Sequence, residues 1–291
     1  MMSRPKFSRI ISGTMTWGKW GKEMDRAGMI SLLNHCLDLG INSFDHADIY
    51  GGYTTEEAFG HAFSKSGISR DHLRLISKCG IQYICDRRPN TVKHYDYSKD
   101  YIIESAEASL KYLQTDYLDL FLLHRPSPLM HPQEVMEAIA KLAQEGKIID
   151  FGVSNFTPSQ VDLISSEVPV MVNQVEFSIT QFEAMHDGTL DQVMIKKMIP
   201  MAWSPLGTLF RNDNEQTERI HAAMEPLLDK YDATEDQLAL AWILKHPADV
   251  HPVVGTTNPD RLKRAIGAVS IDLDLEDWFS LLVASQGHKV P

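Results

Sequence analysis

Four polar residues, each closing a short apolar run, are placed to share one piece of chemistry: Asp45 and Tyr50 in FDHADIYG, Lys78 in LISK and His124 in DLFLLH. If those runs are parallel neighbouring strands, the side chains at their ends converge on one rim. A tyrosine, with a reference pKa of about 10, donates a proton to a carbonyl poorly at neutral pH unless a nearby cation favours its phenolate. Lys78 could supply that charge. Asp45 would hold the ammonium protonated and aimed, while His124 could donate to a substrate oxygen and orient it. Such a group stabilises the oxyanion that develops during hydride transfer.

Two other readings of these residues stand beside it. In the plainer one, Asp45 and Lys78 are a buried ion pair, Tyr50 is a rim aromatic and His124 is a satisfied histidine. In the other, D-H-A-D places His46 and Asp48 next to Asp45, and barrel hydrolases bind metals with carboxylates and imidazoles at strand ends. Strand alternation weakens the metal reading, since Asp45 and His46 should point to opposite faces, and no second H-x-H supports a ligand set.

The elements that must position these side chains alternate along the chain. A short N-terminal hairpin is expected around Phe7 to Ser12. Helix character then runs from Asp25 to Leu39, with Ile30, Leu33 and Leu37 on one face, and stops at Gly40. Strand Asn42 to His46 follows. The next helix opens at TTEEAF, where Thr54 is suited to cap and Glu57 to reach back, before strand Leu73 to Lys78. Helix Ser98 to Leu113 precedes strand Tyr117 to Leu123, and helix Pro132 to Glu145 precedes strand Ile148 to Val153. Helix Pro158 to Ser166 leads to strand Met171 to Glu176, and helix Leu190 to Met198 to strand Ile199 to Trp203. Helical stretches Thr217 to Tyr231 and Thr234 to His246, the second with a capping box at Thr234 and Gln237, lead to strand Val250 to Val254. Asn258 to Ala268 closes the series.

Roughly eight βα units without a linker predict an α/β, single-domain (β/α)8 barrel spanning 1–291. A doubly wound dehydrogenase would show G-x-G-x-x-G after its first strand, and no such string occurs. In a barrel, the loops after the strands build the active site, and the four residues lie there.

Composition is compatible with this architecture. The 291 residues are 43% hydrophobic and 23% charged, an ordinary soluble globular balance. A formal net charge of -11 argues against nucleic acid or an anionic membrane as a main partner. Cys36, Cys79 and Cys85 lack metal-ligand spacing and are odd in number, which fits reduced thiols in the cytoplasm. MMSRPKFSRIIS has no apolar signal region, and no stretch nears the roughly 20 apolar residues of a membrane span. The expectation is a cytoplasmic protein, and an acidic barrel of this kind can work as a monomer.

GTMTWG, FDHADIYG, LISKCG, YLDLFLLHRP, GKIIDFGVSNF, NQVEFS, AWSPLG and VVGTTNPDRL occur in an order that resembles the aldo-keto reductases, from about Gly13 to Ala268. The resemblance implies a (β/α)8 barrel that binds NADPH without a Rossmann domain and reduces a small carbonyl substrate. Tyr50 would be the general acid/base, Lys78 and Asp45 would tune it, and His124 would orient the carbonyl. Ser154, Asn155 and Gln174 match the family's partners for the nicotinamide carboxamide. Trp203 stands where the family usually stacks a tyrosine on the nicotinamide. Gly13, Thr14 and Met15 in GTMTWG, and Ser204, Pro205, Leu206 and Gly207 along the pyrophosphate, complete that half of the cofactor site.

The adenosine end would lie on GTTNPDRLKR, with Asn258 and Pro259 opening a helix whose free amides receive an anion. Gly255, Thr256, Thr257 and Arg261 would stand near a 2'-phosphate. That favours NADPH, with NADH binding more weakly. Many members carry lysine at Gly255; here only the backbone amide remains, and Arg264, three residues after Arg261, is a candidate compensation. The resemblance also admits a slower relative: a nicotinamide-binding redox sensor similar to the family's channel-associated members.

Substrate choice would rest on the long loop between Gly80 and Ser98. Trp17, Trp20, Tyr53, Tyr83, Tyr95 and Tyr97 are candidates for an aromatic wall, about half of them expected to serve loop packing alone. Arg87 and Arg88 could attract an acidic substrate, although a charge pair in a polar loop is usually solvated. No long C-terminal extension follows Leu282, so an open site of broad carbonyl specificity is expected.

Overall fold

The computed structural model describes residues 7–291. Its strands in chain order are Ile11–Gly13 (β1), Ser43–Asp45 (β2), Arg74–Cys79 (β3), Ile81–Gln82 (β4), His94–Tyr95 (β5), Leu118–Leu123 (β6), Ile148–Ser154 (β7), Val172–Glu176 (β8), Ile199–Trp203 (β9) and His251–Val254 (β10). The helices are Arg26–Asp38 (α1), Thr55–Ser66 (α2), Lys99–Leu113 (α3), Pro132–Gln144 (α4), Pro158–Ser165 (α5), Thr189–Lys196 (α6), Glu215–Tyr231 (α7), Glu235–Leu244 (α8), Pro259–Gly267 (α9) and Leu275–Gln286 (α10).

Eight strands pair in parallel and close in the order β1-β10-β9-β8-β7-β6-β3-β2. The predicted alternation was therefore a (β/α)8 barrel. Alternation within each strand separates two apolar layers. Ile11, Ile76, Leu120, Leu122, Val172, Met201 and Val253 pack together inside the barrel, whereas Phe44, Leu75, Phe121 and Val153 pack outward against helices such as α1 to α4. Ile76 and Lys78 share the inner face of β3, so the lysine continues the column of apolar side chains up to the rim. Ser77, between them, turns outward and donates to Glu56 of α2 at 2.5 Å.

Four expectations change. The segment expected to form a hairpin, Phe7 to Ser12, instead runs into the barrel: β1 pairs in parallel with β2 and β10, because its apolar residues are needed inside. Thr54 does not cap α2; its hydroxyl donates back to Gly51 O at 2.8 Å, and Glu57 pairs with Arg87 at 2.7 Å. The box at Thr234 and Gln237 does form. The series also does not close at Ala268, since α10 packs on α7, and its Trp278 stacks on Trp242 of α8 with ring centroids 4.9 Å apart. Each of these two indoles donates its N–H to the other's carbonyl, at 3.2 and 2.9 Å. Finally, the loop between Gly80 and Ser98 carries its own antiparallel ribbon, β4 with β5, with Ile81 opposite Tyr95.

Candidate active site

The register across the barrel brings the four polar residues together. Asp45 ends β2 opposite Ile76, and two residues further along β3 stands Lys78, opposite Leu122 of β6; His124 follows that strand's end. Tyr50 sits on the turn after β2. That turn is tied to β3 where Asp48 N donates to Lys78 O at 3.0 Å, and it winds through Gly51, Gly52 and Tyr53, all with positive φ.

Lys78 is buried and fully partnered. Its Nζ donates to both oxygens of Asp45 at 2.7 Å, to His46 O at 2.8 Å and to the Tyr50 hydroxyl at 3.3 Å. Burial opposes its charge, but the adjoining Asp45 and Tyr50 raise its pKa above the ordinary lysine value, so it stays an ammonium. Burial likewise raises the Tyr50 phenol, with Lys78 pulling it back down and Asp45 pushing it up. The phenol is therefore protonated, beside the cation that would stabilise its conjugate base.

The Tyr50 and His124 rings meet edge to face with centroids 6.1 Å apart. Burial, then the charges of Lys78, Arg125 and Lys93, hold His124 well below the ordinary imidazole range, so it is neutral at pH 7. Its Nδ1 is buried without a partner, which leaves Nε2 as the ring nitrogen open to the cleft.

His46 takes no part. Alternation turns it away from Asp45, so that its Nδ1 meets the Thr14 hydroxyl at 2.9 Å and its ring packs on Phe59 at 4.3 Å. Thr14 goes with it: expected on the cofactor, it is buried and bonds to His46 and to Asp45 O at 3.0 Å. Among the described residues no three His, Cys, Asp or Glu side chains form a group that could hold a metal.

The open rim is a cleft of about 1380 Å³ running from Tyr50 and His124 past Trp203 to Arg261. Comparisons with known proteins place this arrangement. The model of the Aldo/keto reductase family matches residues 9–281. This chain belongs to the aldo-keto reductase family. It is 40% identical to the oxidoreductase YdhF of Escherichia coli, over 99% of this chain and 96% of that one. It is 36% identical to a 6-dehydroglucose reductase of Agrobacterium fabrum, over 98% and 96%. Among solved structures, an aldo/keto reductase from Klebsiella pneumoniae in complex with NADP and acetate superposes with a TM-score of 0.80 at 26% identity, covering 94% of this chain and 90% of that one. As a member of this family the chain is an oxidoreductase.

In this aldo-keto reductase the residues expected around a nicotinamide already hold one another. Ser154 Oγ donates to Gln174 O at 2.8 Å, and Asn155 Nδ2 donates to Ser154 Oγ at 2.7 Å. Trp203 Nε1 donates to Asn155 Oδ1 at 2.8 Å, which locks the indole plane. Gln174 Nε2 donates to Asp45 Oδ1 at 2.9 Å, so one carboxamide joins this cluster to the Lys78 pair. Asn155 and Ser204 are both left-handed, at φ 61 and 48, and backbone strain of this kind collects at functional sites.

Gly13, Met15, Ser204, Pro205, Leu206, Gly207, Gly255 and Thr256 line the cleft as expected, whereas Thr257, like Thr14, does not. The adenosine end differs from expectation in two ways. Asn258 Oδ1 accepts from Asp260 N at 2.9 Å and Arg261 N at 3.1 Å, so two amides expected to receive an anion are taken by the helix's own cap. Arg264 is bound to Asp236 at 3.0 Å, and its charge is shared with that carboxylate.

The aromatic wall shrinks to Trp20, Tyr83 and Tyr95. Trp17 is core, and Tyr53 and Tyr97 spend their hydroxyls on Ile81 O and Arg125 O. Sequence reading missed Arg125 and Lys93 as cleft residues; Arg125 was visible as the residue after His124 in LLHRP, but its direction was not.

Proposed function

We propose that the chain is an NADPH-dependent reductase of aldehyde or ketone carbonyls, with Tyr50 as the proton donor. The observation that carries this reading is the Tyr50 hydroxyl, 3.3 Å from an ammonium that Asp45 holds at 2.7 Å, opening on the same cleft as neutral His124. The donor set suits a nicotinamide dinucleotide: amide and hydroxyl groups of Ser154, Asn155 and Gln174 at one end, Arg261 and Thr256 at the other. When bound, that cofactor supplies the hydride.

The rest of the chemistry falls to the chain's own side chains. His124 Nε2 orients the substrate oxygen, and Tyr50 gives its proton to that oxygen as negative charge develops there. Lys78 stabilises the phenolate that remains, and Asp45 keeps the ammonium aimed. Trp203, held by Asn155, presents one face of its indole to a stacked ring and so fixes which side faces the substrate. Gly255 and the Arg264–Asp236 pair make the preference for NADPH over NADH a moderate one. The free thiols Cys36, Cys79 and Cys85 and the acidic charge support a cytoplasmic, monomeric, single-domain enzyme acting on small molecules.

The test is a fluorescence titration of the purified protein with NADPH and NADH separately, followed by a panel of aldehydes and ketones that includes 6-dehydroglucose. Tight NADPH binding and cofactor oxidation are expected. Binding without oxidation by any carbonyl would support a redox sensor instead, and absence of binding would overturn the cofactor assignment.

A further inference from the structure

Two cations that the reduction of a carbonyl does not require face the substrate half of the cleft. Arg125 lines it directly after His124, and Lys93 lines it from the loop between β4 and β5. The Arg125 backbone is pinned by Tyr97, whose hydroxyl donates to Arg125 O and accepts from Arg125 N at 3.0 Å. The side chain, by contrast, makes no hydrogen bond or ion pair with any described residue; its guanidinium lies 5.3 Å from the centroid of the Trp203 ring. A ring contact of this kind uses none of the guanidinium's five N–H donors, a planar fork that can bind a carboxylate through two parallel hydrogen bonds.

The neighbouring charges do not neutralise this corner. Asp45 is held by Lys78, and the two arginines of the loop, Arg87 and Arg88, are spent on Glu57 and Tyr53 O, and on Gln82 and Tyr101. Glu176, whose carboxyl is raised by burial and only partly lowered by Arg125, stands outside ion-pair distance and does not line the cleft. Both free cations act on His124. The positive corner is local, in a chain of net charge -11, so it attracts anions at this cleft and not over the surface at large.

We infer that Arg125, assisted by Lys93, is the specificity-determining cation for a carbonyl substrate that carries a carboxylate away from its reacting carbon. This rests on the reductase reading above. It narrows the broad carbonyl specificity expected from an open rim to a preference for acidic aldehydes and ketones.

The experiment compares 4-carboxybenzaldehyde with its uncharged methyl ester as substrates of the full chain and NADPH, in wild type, Arg125→Met, Arg125→Lys and Lys93→Met. Arg125→Met should lower kcat/KM for the acid by about 10- to 100-fold, through KM, while the ester changes by less than about threefold. Arg125→Lys should restore part of the preference, and Lys93→Met should lose a smaller share. Equal losses for acid and ester, or weaker NADPH binding by fluorescence in Arg125→Met, would overturn the assignment and give Arg125 to ring positioning or to the cofactor. If wild type reduces neither aldehyde nor any other carbonyl of the panel above, the reductase reading fails by itself. Calorimetry with 4-(hydroxymethyl)benzoate then decides the anion site without turnover, and equal affinity in wild type and Arg125→Met would refute it.

Discussion

Lys78 Nζ touches the Tyr50 hydroxyl at 3.3 Å while both oxygens of Asp45 hold it at 2.7 Å, and Gln174 donates to one of those same oxygens at 2.9 Å. A side chain expected at the nicotinamide therefore also positions the carboxylate that aims the ammonium. In the proposed mechanism, cofactor binding and proton donation would therefore share one hydrogen-bonded chain.

Removal of the Tyr50 hydroxyl should separate the two. Tyr50→Phe keeps the ring that packs near His124 and Trp20, and is expected to lower carbonyl turnover by about 10²-fold or more with NADPH affinity nearly unchanged. Steady-state rates with fluorescence binding measure both, and near-wild-type turnover would remove Tyr50 as the donor.

Gly255 offers a gain-of-function test at the other end of the cleft. A Cβ built there meets nothing within 4 Å, so a side chain can leave the backbone at this position without an immediate clash. Gly255→Lys is expected to tighten NADPH by roughly tenfold and leave NADH little changed, because the added ammonium meets only the 2'-phosphate. Equal tightening of both cofactors would show that the lysine reaches the pyrophosphate instead.

Stability should depend on pH through Glu56. Burial lifts its carboxyl from 4.5 to about 7, against smaller lowering by hydrogen bonds from Ser77 and Ser109. Between those values the native state keeps a proton that the unfolded chain has lost, so this contribution is intact below pH 4.5 and lost as pH rises through 7. Glu56→Gln retains partners for both serines and removes this carboxyl's titration, while Asp48, raised to about 7 by burial and then by Glu56, still titrates in both proteins. Urea unfolding should find the variant more stable than wild type by on the order of 2 kcal/mol at about pH 8, and no more stable at about pH 4. Buried His46, lowered to about 3 by burial and then by Lys78, titrates the opposite way but cancels when the two proteins are compared at one pH. A wild-type advantage at pH 8 would mean that Glu56 is held charged.

Close approach of α2 to α3 rests on Gly60. An added Cβ would lie 2.0 Å from Tyr112 O and 2.8 Å from Leu113 C, both backbone atoms that cannot swing away. Gly60→Ala should cost about 2–4 kcal/mol in chemical denaturation, despite alanine's better helix propensity, and a neutral result would show that the two helices can part.

What the sequence by itself determined is whatever rests on neighbours along the chain. Alternation placed Ile76 and Lys78 on one face of β3 and turned His46 away from Asp45; apolar runs ended at the rim; Thr234 met Gln237 three residues on. Tertiary structure decided everything that needs a partner from far away. Thr54 and Thr234 look alike locally, but the turn at Gly51 takes the Thr54 hydroxyl. Trp17 and Trp20 are three residues apart, yet one is core beneath Phe44 and Phe59 and the other lines the cleft. Arg264 is spent on Asp236 while Arg125 stays free, because whether a charge is available depends on which carboxylate the fold brings beside it, and sequence spacing carries no record of that distance.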